Sequence, residues 1–276
     1  MNIFDTILIN PMLNILVAIY QMLVTLHIPS ALGFSIVLLT VVIRLLLFPF
    51  MHQSLKQQKK TQALTPHINK IKEKHKSDMQ KQQAEIMALY KAEGVNPASG
   101  CLFLIIQIPI LIGLYNVLLK AVHIKNIGDI NNLLYTPALK LNHIWDTHFF
   151  GLPLGSSPSQ LIHTVGPAIL LVCVLTAVFQ LIQSRMMMQK PAPGVVQTKG
   201  KKGEPDFAMA LQQQTMYIFP LMIGFLSYTY PFGLTLYWNT LTIFGIIQQY
   251  IATGWGGLVD WLPFLKSKEV KISKYQ

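Results

Sequence analysis

From Phe207 to Val259 the chain carries no charged side chain at all. As one helix this stretch would run ~80 Å, against a hydrocarbon core of ~30 Å. It must therefore fold back on itself. Tyr230-Pro231-Phe232-Gly233 supplies the break, because proline cannot continue the helix and glycine tolerates the turn, which gives two spans at about 212–230 and 233–252. Three more charge-free runs lie between Asp5 and Arg44, over 94–119 and over 147–184. Only 12% of the residues are charged, about half the usual share, and a soluble domain is excluded.

The remaining runs predict spans at about 32–50, 96–119 and 163–185. In the second of these, Asn96 is the expected N-cap and Pro97 the first helical residue. Residues 12–28 are long enough to cross, but Asn14, Gln21 and Thr25 share one helical face, which favours a helix lying in the interface. The expected fold is all-α and polytopic: five transmembrane helices around a polar groove, an interfacial amphipathic helix within 1–30 and a cytosolic helical hairpin. Met1 to Asn10 lacks the features of a cleaved signal, so the mature chain is expected to begin near Met1. Cys101 and Cys173 lie in apolar runs and offer no disulfide framework.

Cation placement sets the orientation. Residues 51–95 hold nine lysines, 185–206 five cations and the tail from 255 four, together eighteen of the 22 Lys and Arg. With five spans all three segments fall on one side, so the N-terminus is expected outside and the C-terminus in the cytosol. Three domains follow: 1–30, a core over 31–252, and a basic tail over 253–276. Within the core, 120–162 is the outer loop and 186–211 a basic Pro/Gly-containing linker. Residues 51–95 predict a hairpin whose arms start near Pro66 and at a Ser77-x-x-Gln80 capping box, with Gly94 closing the second. Lys70, Lys72, Lys74, Met87 and Tyr90 are the expected docking residues. A solvated loop whose lysines serve topology alone fits the charges equally well.

Arg44 lies 12 residues into its span, roughly 18 Å along the axis. An arginine there costs ~2.5–3.5 kcal/mol on insertion scales and usually faces a bundle interior or a wet cavity; snorkelling to the headgroups is the alternative. None of the five spans contains Asp or Glu, so partners must be dipoles, water, lipid phosphate or a ligand. Thr40 shares its helix face, and Gln107, Asn116, Gln180, Gln183, Tyr237, Trp238 and Asn239 are available from other spans. The lack of intramembrane acids argues against an ion-coupled transporter, although an anion-binding transporter centred on Arg44 is the competing reading. The eight histidines show no metal-ligand spacing, and no catalytic or nucleotide motif is present. Neither cofactor, metal, enzymatic activity nor sequence-specific nucleic-acid binding is expected.

Gly33-Phe34-Ser35-Ile36 through Thr40-Val41-Val42-Ile43-Arg44 opens an ordered set of stretches. It continues with Met87-Ala88-Leu89-Tyr90-Lys91-Ala92-Glu93, Asn96-Pro97, Gln107-Ile108-Pro109-Ile110, Gly233-Leu234-Thr235-Leu236-Tyr237-Trp238 and Ile246-Ile247-Gln248-Gln249. In order and spacing this set resembles the YidC-type membrane protein insertases of the YidC/Oxa/Alb family. The resemblance implies a groove open to cytosol and lipid, with Arg44 as its arginine and Thr40, Gln107, Tyr237 and Trp238 at matching positions. For the third span it leaves open whether Gln180 or Gln183 faces the groove. It further implies location in a bacterial plasma membrane, nascent membrane proteins as clients, and ribosome, signal recognition particle receptor and Sec translocon as partners. The large extracytoplasmic domain of Gram-negative members and the lipoprotein signal of many Gram-positive ones are not in the sequence.

Overall fold

The computed structural model describes residues 3–76, 78–96, 99–122, 124, 126–188, 207–262 and 264, with side chains described outside 62, 99–104 and 207–215. Its elements in chain order are α1 (Asn10–Thr25), α2 (Ala31–Ala63), α3 (Thr65–Lys74), α4 (Met79–Ala92), α5 (Ser99–Val122), α6 (Ile127–Asn131), β1 (His148–Phe149), β2 (Leu152–Pro153), α7 (Pro158–Val165), α8 (Leu170–Met187), α9 (Phe207–Thr229) and α10 (Phe232–Thr253). A π-helical turn, Asp5–Ile9, precedes α1. Two compact units divide the chain: residues 1–47, 106–181 and 217–244 form the first, and 48–105, 182–216 and 245–276 the second.

Four helical stretches among the described residues are long and apolar enough to cross a bilayer: Asp5–Thr25, Ala31–Thr61, Ile105–Val122 and Pro167–Met187. In α9 the described apolar part is the shorter Met216–Thr229. Helix α10 has 22 uncharged residues, but Asn239, Gln248 and Gln249 dilute its apolar character. The third span begins later than 163–185 predicts. Gly166 takes φ +86° and Pro167 opens a single 3-10 turn, so residues 158–165 form the separate helix α7, with a Ser157/Gln160 capping box. The first span runs on as one helix to Ala63, which leaves only α3 and α4 to form the hairpin.

The first unit is built around a core from α1 (Leu13, Leu16, Val17, Tyr20), α2 (Leu32, Ile36, Leu39), α5 (Leu114, Val117, Leu118) and α10 (Leu234, Tyr237). Lipid tails are as apolar as leucine, so such contacts hold through close packing more than through escape from water. Gly224 and Gly113 illustrate this: a Cβ on the first would come within 2.9 Å of Ala177 Cβ and on the second within 2.8 Å of Leu8.

The predicted polar stripe of α1 is used differently from expectation. Asn14 is buried; its Nδ2 donates to Leu133 O at 3.0 Å and its Oδ1 accepts from Tyr135 N–H at 2.7 Å. Gln21 donates to Leu139 O at 2.9 Å, while Thr25 bonds back to Gln21 O. Irregular backbone needs such partners wherever water is excluded, so the stripe holds the 133–140 segment. Trp145 adds a bond to Ala121 O at 2.7 Å, and Gly233 N–H donates to Leu154 O at 2.9 Å.

In the second unit α3 and α4 pack as a hairpin. Asp78 is the N-cap of α4 and accepts from Lys81 N–H at 3.0 Å; Ser77 of the expected capping box lies outside the described residues, as does Pro97. Gly94 takes φ +60° and the Val95 N–H closes on Tyr90 O at 2.9 Å, a left-handed helix ending suited to glycine.

Candidate functional site

Helix α2 presents Thr40, Ile43, Arg44 and Leu47 at the i, i+3, i+4, i+7 spacing of one helical face. With Gln107 and Ile110 of α5, and Tyr237 and Leu241 of α10, they line one cleft in the first unit. Arg44 is 3% exposed, and Thr40 and Tyr237 are 1% exposed. Gln107 Nε2 donates to the Tyr237 hydroxyl at 2.8 Å, and the Thr40 hydroxyl donates to Ile36 O at 2.7 Å. No lining residue is acidic. The guanidinium is thus buried among dipoles and aliphatic side chains, an arrangement that favours any negative group brought beside it. The space between these walls is too narrow for a water molecule, in contrast to the open polar groove expected from sequence.

The other expected groove residues lie elsewhere. Trp238 follows Tyr237 on α10 and points about 100° away from it, as successive helical residues do. Its ring meets Tyr230 edge-on at 6.4 Å, and Tyr230 in turn meets Tyr115 at 6.0 Å. Gln180 Oε1 accepts from the Thr242 hydroxyl at 3.3 Å. Gln183, in the second unit, packs its amide against Gly245 so closely that a Cβ there would overlap Nε2. Neither glutamine lines the Arg44 cleft. Asn116 bonds its own helix at Ile112 O. Ile43, Leu47, Ile110 and Leu241 are apolar lining residues outside the polar set expected from sequence; each falls three or four positions after Thr40, Arg44, Gln107 or Tyr237, and that helical spacing is the signal that points to them.

On the hairpin, Lys74 Nζ and His75 Nε2 both meet Glu85 Oε1, at 3.1 and 2.8 Å, and Gln82 donates to Lys72 O at 3.3 Å. The Lys74 ammonium, then His75, holds the Glu85 carboxyl below the usual range. Lys70 is exposed and Lys72 half-buried. Met87 and Tyr90 share an open hollow with Lys91, Gly94, Val95 and Asn96, and Met87 is largely exposed. The structure therefore joins the apolar members of the expected docking set and leaves the lysines on the other arm.

A second cation, Arg185, belongs to the 185–206 cationic segment. Its guanidinium lies 3.6 Å from Asp260 Oδ2 and 5.0 Å over the Trp261 ring, with the sulfurs of Met188 and Met216 at 3.6 and 3.8 Å. The segment it grips begins at Gly254 and Gly256, both with positive φ, and Gly257 N–H donates to Met188 O at 2.6 Å. The first residues of the basic tail are thus packed on the end of α8. Among the described residues no cluster of three or more His, Cys, Asp or Glu is placed to hold a metal ion.

Comparison with known proteins bears on both units. Residues 24–255 match the family described as 60Kd inner membrane protein. A membrane protein insertase YidC of Streptomyces avermitilis is 33% identical over 227 residues, covering 79% of this chain and 50% of that protein. The same-named protein of Cupriavidus pinatubonensis is 34% identical over 221 residues, covering 79% of this chain and 31% of the relative. A crystal structure of an active YidC insertase with its first transmembrane domain resolved matches at TM-score 0.55 and 25% identity, over 91% of this chain and 47% of that one. The chain spans half or less of the length of these relatives. With its apolar helices, the match identifies an all-α polytopic membrane fold.

Proposed function

Because the chain belongs to the 60Kd inner membrane protein family, that of the YidC-type insertases, we propose that it inserts client proteins into a bacterial plasma membrane. The observation that carries this reading is the buried Arg44 within a cleft of neutral side chains from three helices. A client's short polar tail faces several kcal/mol for each unsatisfied polar group carried into hydrocarbon. Arg44 attracts acidic groups of that tail, and Thr40, Gln107 and Tyr237 supply hydrogen-bond partners. The client's apolar span then leaves sideways into lipid. The walls of the cleft are side chains, so an arriving tail can part them and admit water with it. Membrane potential contributes ~2.3 kcal/mol per 100 mV for each negative charge moved outward, and no nucleotide is consumed.

In this reading the N-terminus lies outside, α1 rests along the outer surface, and the hairpin and basic tail face the cytosol. There Lys70, Lys72 and Lys74 serve charged partners such as a ribosome or targeting receptor, while Met87 and Tyr90 meet apolar client segments; a Sec translocon is a candidate neighbour in the bilayer. Nothing in the mechanism calls for sequence-specific recognition of nucleic acid. The test is protease protection of a single-span client with an acidic tail, mixed with proteoliposomes holding only this protein. Insertion above that of empty liposomes, lowered by Arg44→Ala and largely kept by Arg44→Lys, is the expected result. Equal activity of Arg44→Ala on every such client would remove Arg44 from the mechanism.

A further inference from the structure

Among the described residues three that are not glycine take a positive φ: His27 (57°), Ser30 (55°) and Phe150 (49°). Two of them share one turn, and the third is bonded to it. His27 and Ser30 lie in the turn between α1 and α2, and Phe150 N–H donates to Ser30 Oγ at 3.0 Å. A bulky side chain in the left-handed region is a true outlier, which glycine or asparagine would relieve. Yet the residue held this way is an aromatic ring 70% exposed at the tip of the β1–β2 hairpin. Its neighbour Phe149 faces inward, edge-on to Phe34 at 5.2 Å, and lies over Gly33 so closely that a Cβ there would overlap the ring. Phe150 completes the three-ring cluster, 5.9 Å from Phe34 and 4.7 Å from Phe149.

The position of the tip says what covers it. The candidate membrane-crossing stretch of α2, Ala31–Thr61, starts directly after Ser30, so Phe150, whose N–H is bonded to Ser30, lies at that end of the span. Leu26 in the same turn and Met22 near the end of α1 are also exposed apolar side chains. The base of the hairpin is polar: His148 Nδ1 lies 2.6 Å from Asp146 Oδ1, both solvent-facing. Apolar tip, polar base and a place at the end of a span match the headgroup–acyl boundary, where amphipathic groups settle.

We propose that the hairpin is an interfacial anchor, with Phe150 seated in the leaflet at which α2 starts and fixing the α1–α2 turn to the membrane surface. The proposal rests on the membrane fold and is independent of insertase activity. Phe150→Cys, in a chain with Cys101→Ser and Cys173→Ala, is labelled with an environment-sensitive fluorophore and reconstituted in phosphatidylcholine–phosphatidylglycerol vesicles, with Lys140→Cys as the loop reference. Expected is blue-shifted emission at 150, quenched severalfold more by nitroxide-bearing lipids than by iodide, with the reverse at 140. Iodide quenching at 150 would place the tip in water, and protection from both quenchers would mean a protein cover; either result overturns the proposal. As a second arm, Phe150→Asn accepts the same backbone and should unfold no earlier in detergent, while residues 26–34 exchange amide hydrogens severalfold faster in vesicles. Unchanged exchange would show that the ring anchors nothing.

Discussion

Arg44 and Tyr237 show how one helical face decides a site. Among adjacent polar residues on α10, only Tyr237 reaches the cleft, where it accepts from Gln107. Replacing Tyr237 by Phe leaves the half-buried Gln107 amide without this acceptor, at a cost of about 1 kcal/mol; thermal unfolding in detergent should show it. Adding Gln107→Leu should recover part of that loss, since both polar partners are then gone. At Gly33 the constraint is steric. Ala there meets the Phe149 ring, and a loss of about 1–3 kcal/mol is expected for overpacking, read from the same melts.

Between elements, the α3–α4 hairpin depends on a carboxylate. Lys74 and His75 hold Glu85 below its ordinary pKa, so the folded hairpin favours the ionised form. That contribution is fully present above the unfolded carboxylate pKa and is lost as pH falls through the lowered folded one. Hydrogen exchange along 65–92 should therefore lose protection on acidification through and below the usual carboxylate range, and Glu85→Gln should flatten that dependence. At the end of α8, the pairing of Arg185 with Asp260 and Trp261 predicts that Asp260→Asn speeds exchange over 254–262 and leaves α1 unchanged.

For the whole molecule, the expectation is an orientation. Reporters fused at the C-terminus and within residues 191–205 should be active only as cytosolic fusions, and a tag at Met1 should be reached from outside. A cytosolic N-terminus would make Asp5–Thr25 a sixth span, which its length and apolar character permit. With an imposed potential, insertion of a client carrying two tail acids should respond more steeply than one carrying a single acid.

Charge alone determined the membrane class. A run such as 207–259 has no stable alternative outside lipid, and the Pro231/Gly233 break between α9 and α10 followed from backbone sterics. Arg44 was legible too, because a cation amid apolar residues is costly anywhere. Tertiary structure decided what period and composition leave equal. It chose Tyr237 over Trp238 for the cleft, set both third-span glutamines elsewhere, and closed the cleft with Ile43, Leu47, Ile110 and Leu241. It turned Asn14 from a surface stripe inward to the 133–140 backbone and tied Phe150 to a serine 120 positions away. Helical phase within one segment can be read from its own residues, whereas these partners depend on which segments meet, and that is fixed by packing across the chain.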